Sequence, residues 1–386
     1  MNIALRSALS MIIISAILLP VGAGAAAKQP APQKTVIGRD ISARIKKAAS
    51  EGRMEVVIPA GSYVVGPQAI VIPSNMAIRG TGNATVIKLA EGTGTAFLPG
   101  KGSSIAAMHI DGAKGRPGGV SDGVIMLGNG SHGVTIDSVS FTGSPRTCIV
   151  TDHADDTTIR NCRFVDVFQA ISIQFSNQIR ISHNTVIKAK SHGIQFWGNW
   201  KWDSKGCDNI LISGNYVRNG GGGAIWGAGA RHVIASGNIV DGATDVGIDL
   251  EWCDDSVITG NVVSNFENGG ISLFFACKGV SITGNTINNN RPIIDPKADW
   301  WARAGIWLTY PNTESFPKDN GHRDVTITGN TINCAEGDRR AIWVGSLSDN
   351  IVIGSNAIKG GGIWSGGGTG PMKQITDNTT VKLPGD

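Results

Sequence analysis

The sequence predicts an all-β chain wound as a parallel β-helix solenoid with a short N-terminal capping helix, and three observations predict it. An asparagine-bearing segment recurs along the chain, and a second apolar segment with period-two alternation precedes each copy. Glycine is abundant, at 53 of 386 residues, while only 17% of residues are charged. That composition suits short strands joined by tight turns rather than a helical enzyme. The 34 basic and 30 acidic residues are scattered, which leaves no basic stripe of the kind that holds nucleic acid.

The N-terminus comes first. Arg6 in a short polar start, the apolar run MIIISAILLPVG and the small residues AGAAA form a secretory signal peptide over residues 1–27. The run is short and Pro20 interrupts it, unlike a membrane anchor, and no cysteine near the cleavage site suggests a lipoprotein. The expectation is an exported, periplasmic or extracellular monomer from a Gram-negative bacterium, with residues 28–386 as one domain and no membrane association after processing. The cap follows, over about 36–66, in DISARIKKAASEGRMEVVIPAGSYVVG. Asp40 can cap a helix, Ile41, Ile45 and Ala48 share one of its faces, and PAGSY turns into a strand. A solenoid needs such a cap because its end coil is an open strand edge.

The body of the chain repeats. TTIRNCRF, IRISHNTV, ILISGNYV, VIASGNIV, SVITGNVV, VSITGNTI, VTITGNTI and IVIGSNAI carry Asn161, Asn184, Asn215, Asn238, Asn261, Asn285, Asn330 and Asn356, at separations of 23, 31, 23, 23, 24, 45 and 26 residues. The basic period is about 23, with insertions in the two longest steps. Before each asparagine strand from Asn184 onward lies a second one: AISIQ, GIQFW, AIWGA, GIDLE, GISLF, GIWLT and AIWVG. A coil of this length holds two or three short strands, and asparagines at a shared bend would stack as a ladder bonding the backbone of neighbouring coils.

From about residue 36 onward these repeats resemble the right-handed parallel β-helix proteins of the pectate-lyase-like superfamily. The resemblance implies the fold, and a superfamily that includes lyases, hydrolases, epimerases, phage depolymerases and proteins without known catalysis.

Aligning the first strands on their inward residues gives two outward columns. The first reads Val150, Ser172, Gln195, Trp226, Asp249, Ser272, Trp307, Trp343, Trp364, and the second Asp152, Gln174, Trp197, Ala228, Glu251, Phe274, Thr309, Gly345. In GIDLEWCDD, Ile248 and Leu250 point inward, so Asp249 and Glu251 stand side by side on the outer face. Asp254 and Asp255 fall at a bend, where acids serve turns. Aromatic rings interleaved with amides and hydroxyls suit a sugar chain, whose rings present apolar faces and hydroxyl rims. Asp152, Gln174, His192, Gln195, Trp197, Trp226, Ser272, Phe274, Arg303 and Trp307 are the expected substrate-binding residues, and a poly- or oligosaccharide the expected partner.

Asp249 and Glu251 are the expected catalytic pair. Residues i and i+2 on a strand have Cα atoms about 6.5–7 Å apart, which straddles the carboxyl separations of retaining and inverting glycosidases. Close carboxylates split their pKa values. Trp197 and Phe274 in the column of Glu251 would desolvate it and make it the acid, leaving Asp249 as base or nucleophile. The expected reaction is glycoside hydrolysis or transglycosylation without a cofactor. A calcium-dependent lyase is the alternative, with Asp249 and Glu251 holding Ca²⁺ and a base from Lys201, Lys205, Lys297, Arg303 or His192. Polygalacturonase motifs, with paired aspartates near His-Gly and an Arg-x-Lys, do not occur here. A non-catalytic carbohydrate-binding protein or an epimerase would use the same face.

Insertions over 198–209, 291–304 and 310–323 leave the two edges of the strip, two of them with paired tryptophans, Trp200 with Trp202 and Trp300 with Trp301. Six cysteines in an exported chain raise disulfides. Cys253 and Cys277 each lie eight residues before their ladder asparagine, one coil apart, and are the expected pair. No Cys/His spacing suggests zinc.

Overall fold

The computed structural model describes residues 35–37, 39–199, 206–289, 304–308, 321–334, 340–345, 348–365, 374–376 and 379–381, all within the unit Lys34–Asp386. The expected signal peptide and the central residues of the three insertions, with Trp200, Trp202, Trp300, Trp301 and Arg303, lie outside them. Among the described residues no helix is long and apolar enough to cross a membrane.

Each coil has three strands. Gln169–Gln174, Asn177–Ser182 and Thr185–Ala189 follow one another, and each pairs in parallel with its counterpart one coil on: Ile194–Trp197, Cys207–Ser213 and Tyr216–Gly220. The first strands of successive coils build a twelve-stranded sheet, the front face, running from Ile70–Ile72 to Ile363–Ser365. Its inward residues stack like on like. Ile149, Ile171, Ile194, Ile225, Ile248, Ile271, Ile306 and Ile342 are in register from coil to coil, and all are fully buried. Gly227 breaks the next inward column for a steric reason: a Cβ there would strike the ring of Phe196 in the coil before.

The bend between the second and third strands explains the Gly-Asn signature. His183, Gly214, Gly237, Gly260, Gly284, Gly329 and Ser355 all have positive φ, between 54° and 65°, a conformation glycine adopts most cheaply. The asparagine that follows turns inward. From Asn215 through Asn238, Asn261, Asn285 and Asn330 to Asn356, each Oδ1 accepts from the backbone N–H and the side-chain amide of the asparagine one coil back, beginning with Asn184, at 2.9–3.0 Å. Asn161 is the exception. It occupies the left-handed bend position at φ 55° and donates to Asp137 at the exposed edge, while Cys162 takes the ladder place and donates its N–H to Asn184 Oδ1 at 2.9 Å. Asp255 likewise has φ 47°, as do Asn209 and Asn350 near 51–55°, so the second acidic pair does serve a bend.

The N-terminal helix is Arg39–Ser50 and buries Ile41, Ile45 and Ala48 in the core. Asp40 lies within its first turn, where it faces the positive helix end and accepts from Arg44 at 2.8 Å.

The expected Cys253–Cys277 disulfide does not form. All six cysteines are buried thiols. Cys253 donates to Glu251 O and Cys277 to Leu250 O, both at 3.3 Å. In-register residues of a parallel pair project their side chains side by side, whereas a disulfide needs Cβ atoms that converge to about 3.8 Å. Each sulfur lies against the backbone of the coil before it, Cys277 Sγ accepting the N–H of Cys253 at 3.3 Å and Cys253 Sγ lying 4.0 Å from Gly227 O.

Candidate active site

The strand Val246–Glu251 carries the acidic pair at the centre of the front face. The first outward column is in register throughout: Val150 with Ser172, then Gln195, Trp226, Asp249, Ser272, Trp307, Trp343 and Trp364. The second runs from Asp152 through Gln174, Trp197 and Ala228 to Glu251 and Phe274. Beyond Glu251 the chain bends at Trp252, whose φ is 49°.

The columns are not the wet surface their outward direction implies. Asp249 is only 2% exposed and Glu251 9%. The two carboxyls sit in different surroundings. Glu251 Oε1 accepts the indole N–H of Trp226 at 2.9 Å, whereas Asp249 Oδ1 has no hydrogen-bond partner among the described residues. Burial drives both upward in pKa. Asp249 rises well above the ordinary carboxylate range through desolvation, then repulsion from Glu251 and Asp245. Desolvation also lifts Glu251, to about 7, against the pull of the Trp226 N–H and with a further push from Asp245.

A carboxyl that binds its proton more tightly folded than unfolded stabilises the fold below its unfolded pKa near 4. That contribution is lost as pH rises through the folded value of about 7. Glu251→Gln is therefore expected to gain stability relative to the native protein between pH 4 and pH 8, by about 2–3 kcal/mol, read as a melting-temperature difference that grows more positive by a few degrees. A difference that does not change with pH would mean that the fold does not resist ionisation of Glu251.

Aromatic groups flank the pair along the solenoid axis. On one side the Trp226 ring stacks on His192 at 4.9 Å and on Trp197 at 5.7 Å. His192 Nδ1 lies 3.2 Å from Gly223 O, so this nitrogen carries a hydrogen, and burial lowers the pKa of the imidazole. On the other side Phe274 meets Trp307 edge-on at 5.0 Å, Trp307 stacks on Trp343 at 5.8 Å, and the Arg340 guanidinium lies 4.2 Å above Trp343. Three successive positions of the first column, Asp249 Oδ1, Ser272 Oγ and Trp307 Nε1, present buried polar atoms with no partner among the described residues.

The earlier half of the strip is different, because the column residues Asp152, Gln174 and Gln195 are already engaged. Gln174 accepts from Ser121 and donates to Val120 O at 3.0–3.1 Å, which ties the segment before Gly123–Leu127 across it. Gln195 accepts from Gln169 at 3.1 Å, and Asp152 pairs with His153 at 2.6 Å. Sequence reasoning missed Asp245. It sits in the turn before the strand, accepts from Asn268 at 3.0 Å, and raises both carboxyls and His192. Its only sequence signal was a third acid four residues before Asp249. Among the described residues no group of three His, Cys, Asp or Glu side chains converges as a metal site.

The fold has solved counterparts. The A-module of an Azotobacter vinelandii mannuronan C-5 epimerase is 16% identical with a TM-score of 0.62, covering 90% of this chain and 95% of that one. The family 28 exopolygalacturonase of Yersinia enterocolitica is 12% identical at 0.59, covering 93% and 80%. PfbA, a surface adhesin of Streptococcus pneumoniae, is 15% identical at 0.56, covering 90% and 88%. At such identities the likeness is one of fold. The family model of the right handed beta helix region matches residues 69–201 and 202–320; with the coil-by-coil register described above, the chain belongs to that family.

Proposed function

We propose that the protein cleaves a poly- or oligosaccharide on its front face by glycoside hydrolysis or transglycosylation, with Asp249 as proton donor and Glu251 as base or nucleophile. The observation that carries this reading is the buried, unequal carboxyl pair at the head of a row of unpartnered polar atoms, Asp249 Oδ1, Ser272 Oγ and Trp307 Nε1, which sugar hydroxyls would satisfy. The roles are the reverse of those suggested by the column neighbours alone. A carboxyl without donors in a buried site keeps its proton, and one that accepts an indole N–H is the better carboxylate. Asp249 would protonate the glycosidic oxygen as the bond to the anomeric carbon breaks, with the electron pair leaving on that oxygen. Glu251 would attack the anomeric carbon, or take a proton from the water that does. Two solved counterparts carry carbohydrate activities in their names, mannuronan C-5 epimerase and exopolygalacturonase, which supports a glycan as substrate.

The test is incubation with neutral and uronate-containing polysaccharides, with and without EDTA, reading new reducing ends and the absorbance of unsaturated uronates. EDTA-insensitive products without that absorbance are expected. An EDTA-sensitive rise in absorbance would replace hydrolysis by elimination.

Trp226→Phe offers a finer check, since it keeps a ring and removes the N–H that Glu251 accepts. Loss of a charge-assisted hydrogen bond makes the carboxylate harder to form by about 1 kcal/mol. The acidic limb of kcat/KM should therefore move to higher pH by about 0.7 unit. A limb that stays in place would separate Trp226 from the tuning of Glu251.

A further inference from the structure

Resting on the reading of the front face as a glycan site, we propose that its C-terminal end holds a distal sugar-binding platform, formed by Trp364, Trp343 and Arg340, that selects long chains. Trp364 is 54% exposed and is the only aromatic among the exposed large hydrophobic side chains of the described residues. Of the others, Val71 and Leu98 lie at the N-terminal end of the front face, far from the acidic pair, and Ile234, Ile239 and Val262 lie on the two remaining faces of the coil. Trp364 instead continues the column of Asp249, through Ser272, Trp307 and Trp343. At about 4.8 Å per coil, four steps place it about 19 Å from the acid.

The local packing prepares a ring surface. Trp343 lies parallel to Trp307 at 9°, and the Arg340 guanidinium lies over both Trp343 and Trp364, at 4.2 and 5.2 Å from their centroids. A cation held over two indoles restrains them before any ligand arrives, and a restrained ring loses little entropy on stacking against a pyranose. The amides of Gln174 and Gln195 are engaged on one side of the pair, whereas Ser272 Oγ and Trp307 Nε1 on the way to Trp364 have no partner among the described residues, so the groups left for a chain to satisfy lie toward Trp364. The ligand class is a linear glycan long enough to span the four coils between the pair and Trp364, with sugar faces rather than end groups as the recognised feature.

The experiment compares the native protein, Trp364→Ala and Glu251→Gln on a length series of the glycan identified by the panel, measuring binding by affinity electrophoresis and turnover in parallel. Trp364→Ala should weaken binding of the polymer and raise its KM by about tenfold, with kcat unchanged and with the shortest chains bound and turned over as by the native protein. Equal affinity of the native protein and Trp364→Ala at every chain length would overturn the platform. Failure of the catalytic reading looks different: no product from any chain, while the polymer still binds and still loses affinity with Trp364→Ala but not with Glu251→Gln, which would leave the platform standing. Absence of glycan binding by the native protein would overturn both.

Discussion

Asp249→Asn and Glu251→Gln are each expected to lower kcat by about a thousandfold or more while leaving polymer affinity within a fewfold of native. General acid and base groups each contribute on the order of 10²–10⁴ to rate, and neither substitution removes the aromatic surface that would hold the glycan. The two variants should nevertheless fail differently. Asp249→Asn cannot protonate a leaving oxygen, so its loss should shrink on an aryl glycoside of the same sugar, whose phenolate departs without help. Glu251→Gln lacks the carboxylate that attacks or activates water, and should stay inactive on both substrates. The opposite pattern, with rescue of Glu251→Gln alone, would restore Glu251 as the acid and discount the Trp226 hydrogen bond as the feature that separates the pair. Retention of full turnover by both variants would remove the pair from catalysis altogether.

The columns could be read from the sequence because two periodicities coincide on this chain. Alternation within a strand sends Ile248 and Leu250 inward and Asp249 and Glu251 outward, and the repeat of about 23 residues puts like positions one coil apart. Errors arose where direction and through-space contact decide. Cys253 and Cys277 are neighbours, as their spacing requires, yet each thiol turns to the backbone of the coil before it. Desolvation of Glu251 is legible from its column neighbours, but the deeper burial of Asp249 is not; what covers an outward face is set by residues remote in sequence, as Val120 and Ser121 over Gln174 show. The roles proposed within the pair rest on one indole N–H in the neighbouring coil, and Asp245 acts on the pair through its field rather than its place in a strand. None of these is a periodic property.

Asn161 and Asn261 look alike in the sequence, and the structure separates them, which makes them the sharpest test of what holds the coils together. Asn261→Ala is expected to cost about 3–5 kcal/mol. Its Oδ1 accepts the N–H and the side-chain amide of Asn238, and its own amide donates to Ala235 O and Asn285 Oδ1, all at 2.9 Å. Truncation leaves several of these buried groups without partners, at about 1–3 kcal/mol for each one that water cannot reach. The readout is a shift of the urea midpoint at unchanged slope. Asn161→Gly should move that midpoint little, by the equivalent of about 1 kcal/mol or less, because its side chain reaches only Asp137 at the exposed edge and glycine fills the same left-handed position at Gly214, Gly237 and Gly260. Cys162 supplies the third arm. Its thiol already lies over Ile136 O and Arg160 O, the counterparts of the Ile181 O and Ser213 O that Asn215 donates to. Cys162→Asn should therefore extend the ladder by one rung and raise the midpoint. Equal losses for Asn161→Gly and Asn261→Ala would mean that the coils are held by their apolar stacks alone, with the ladder following the fold rather than fixing it.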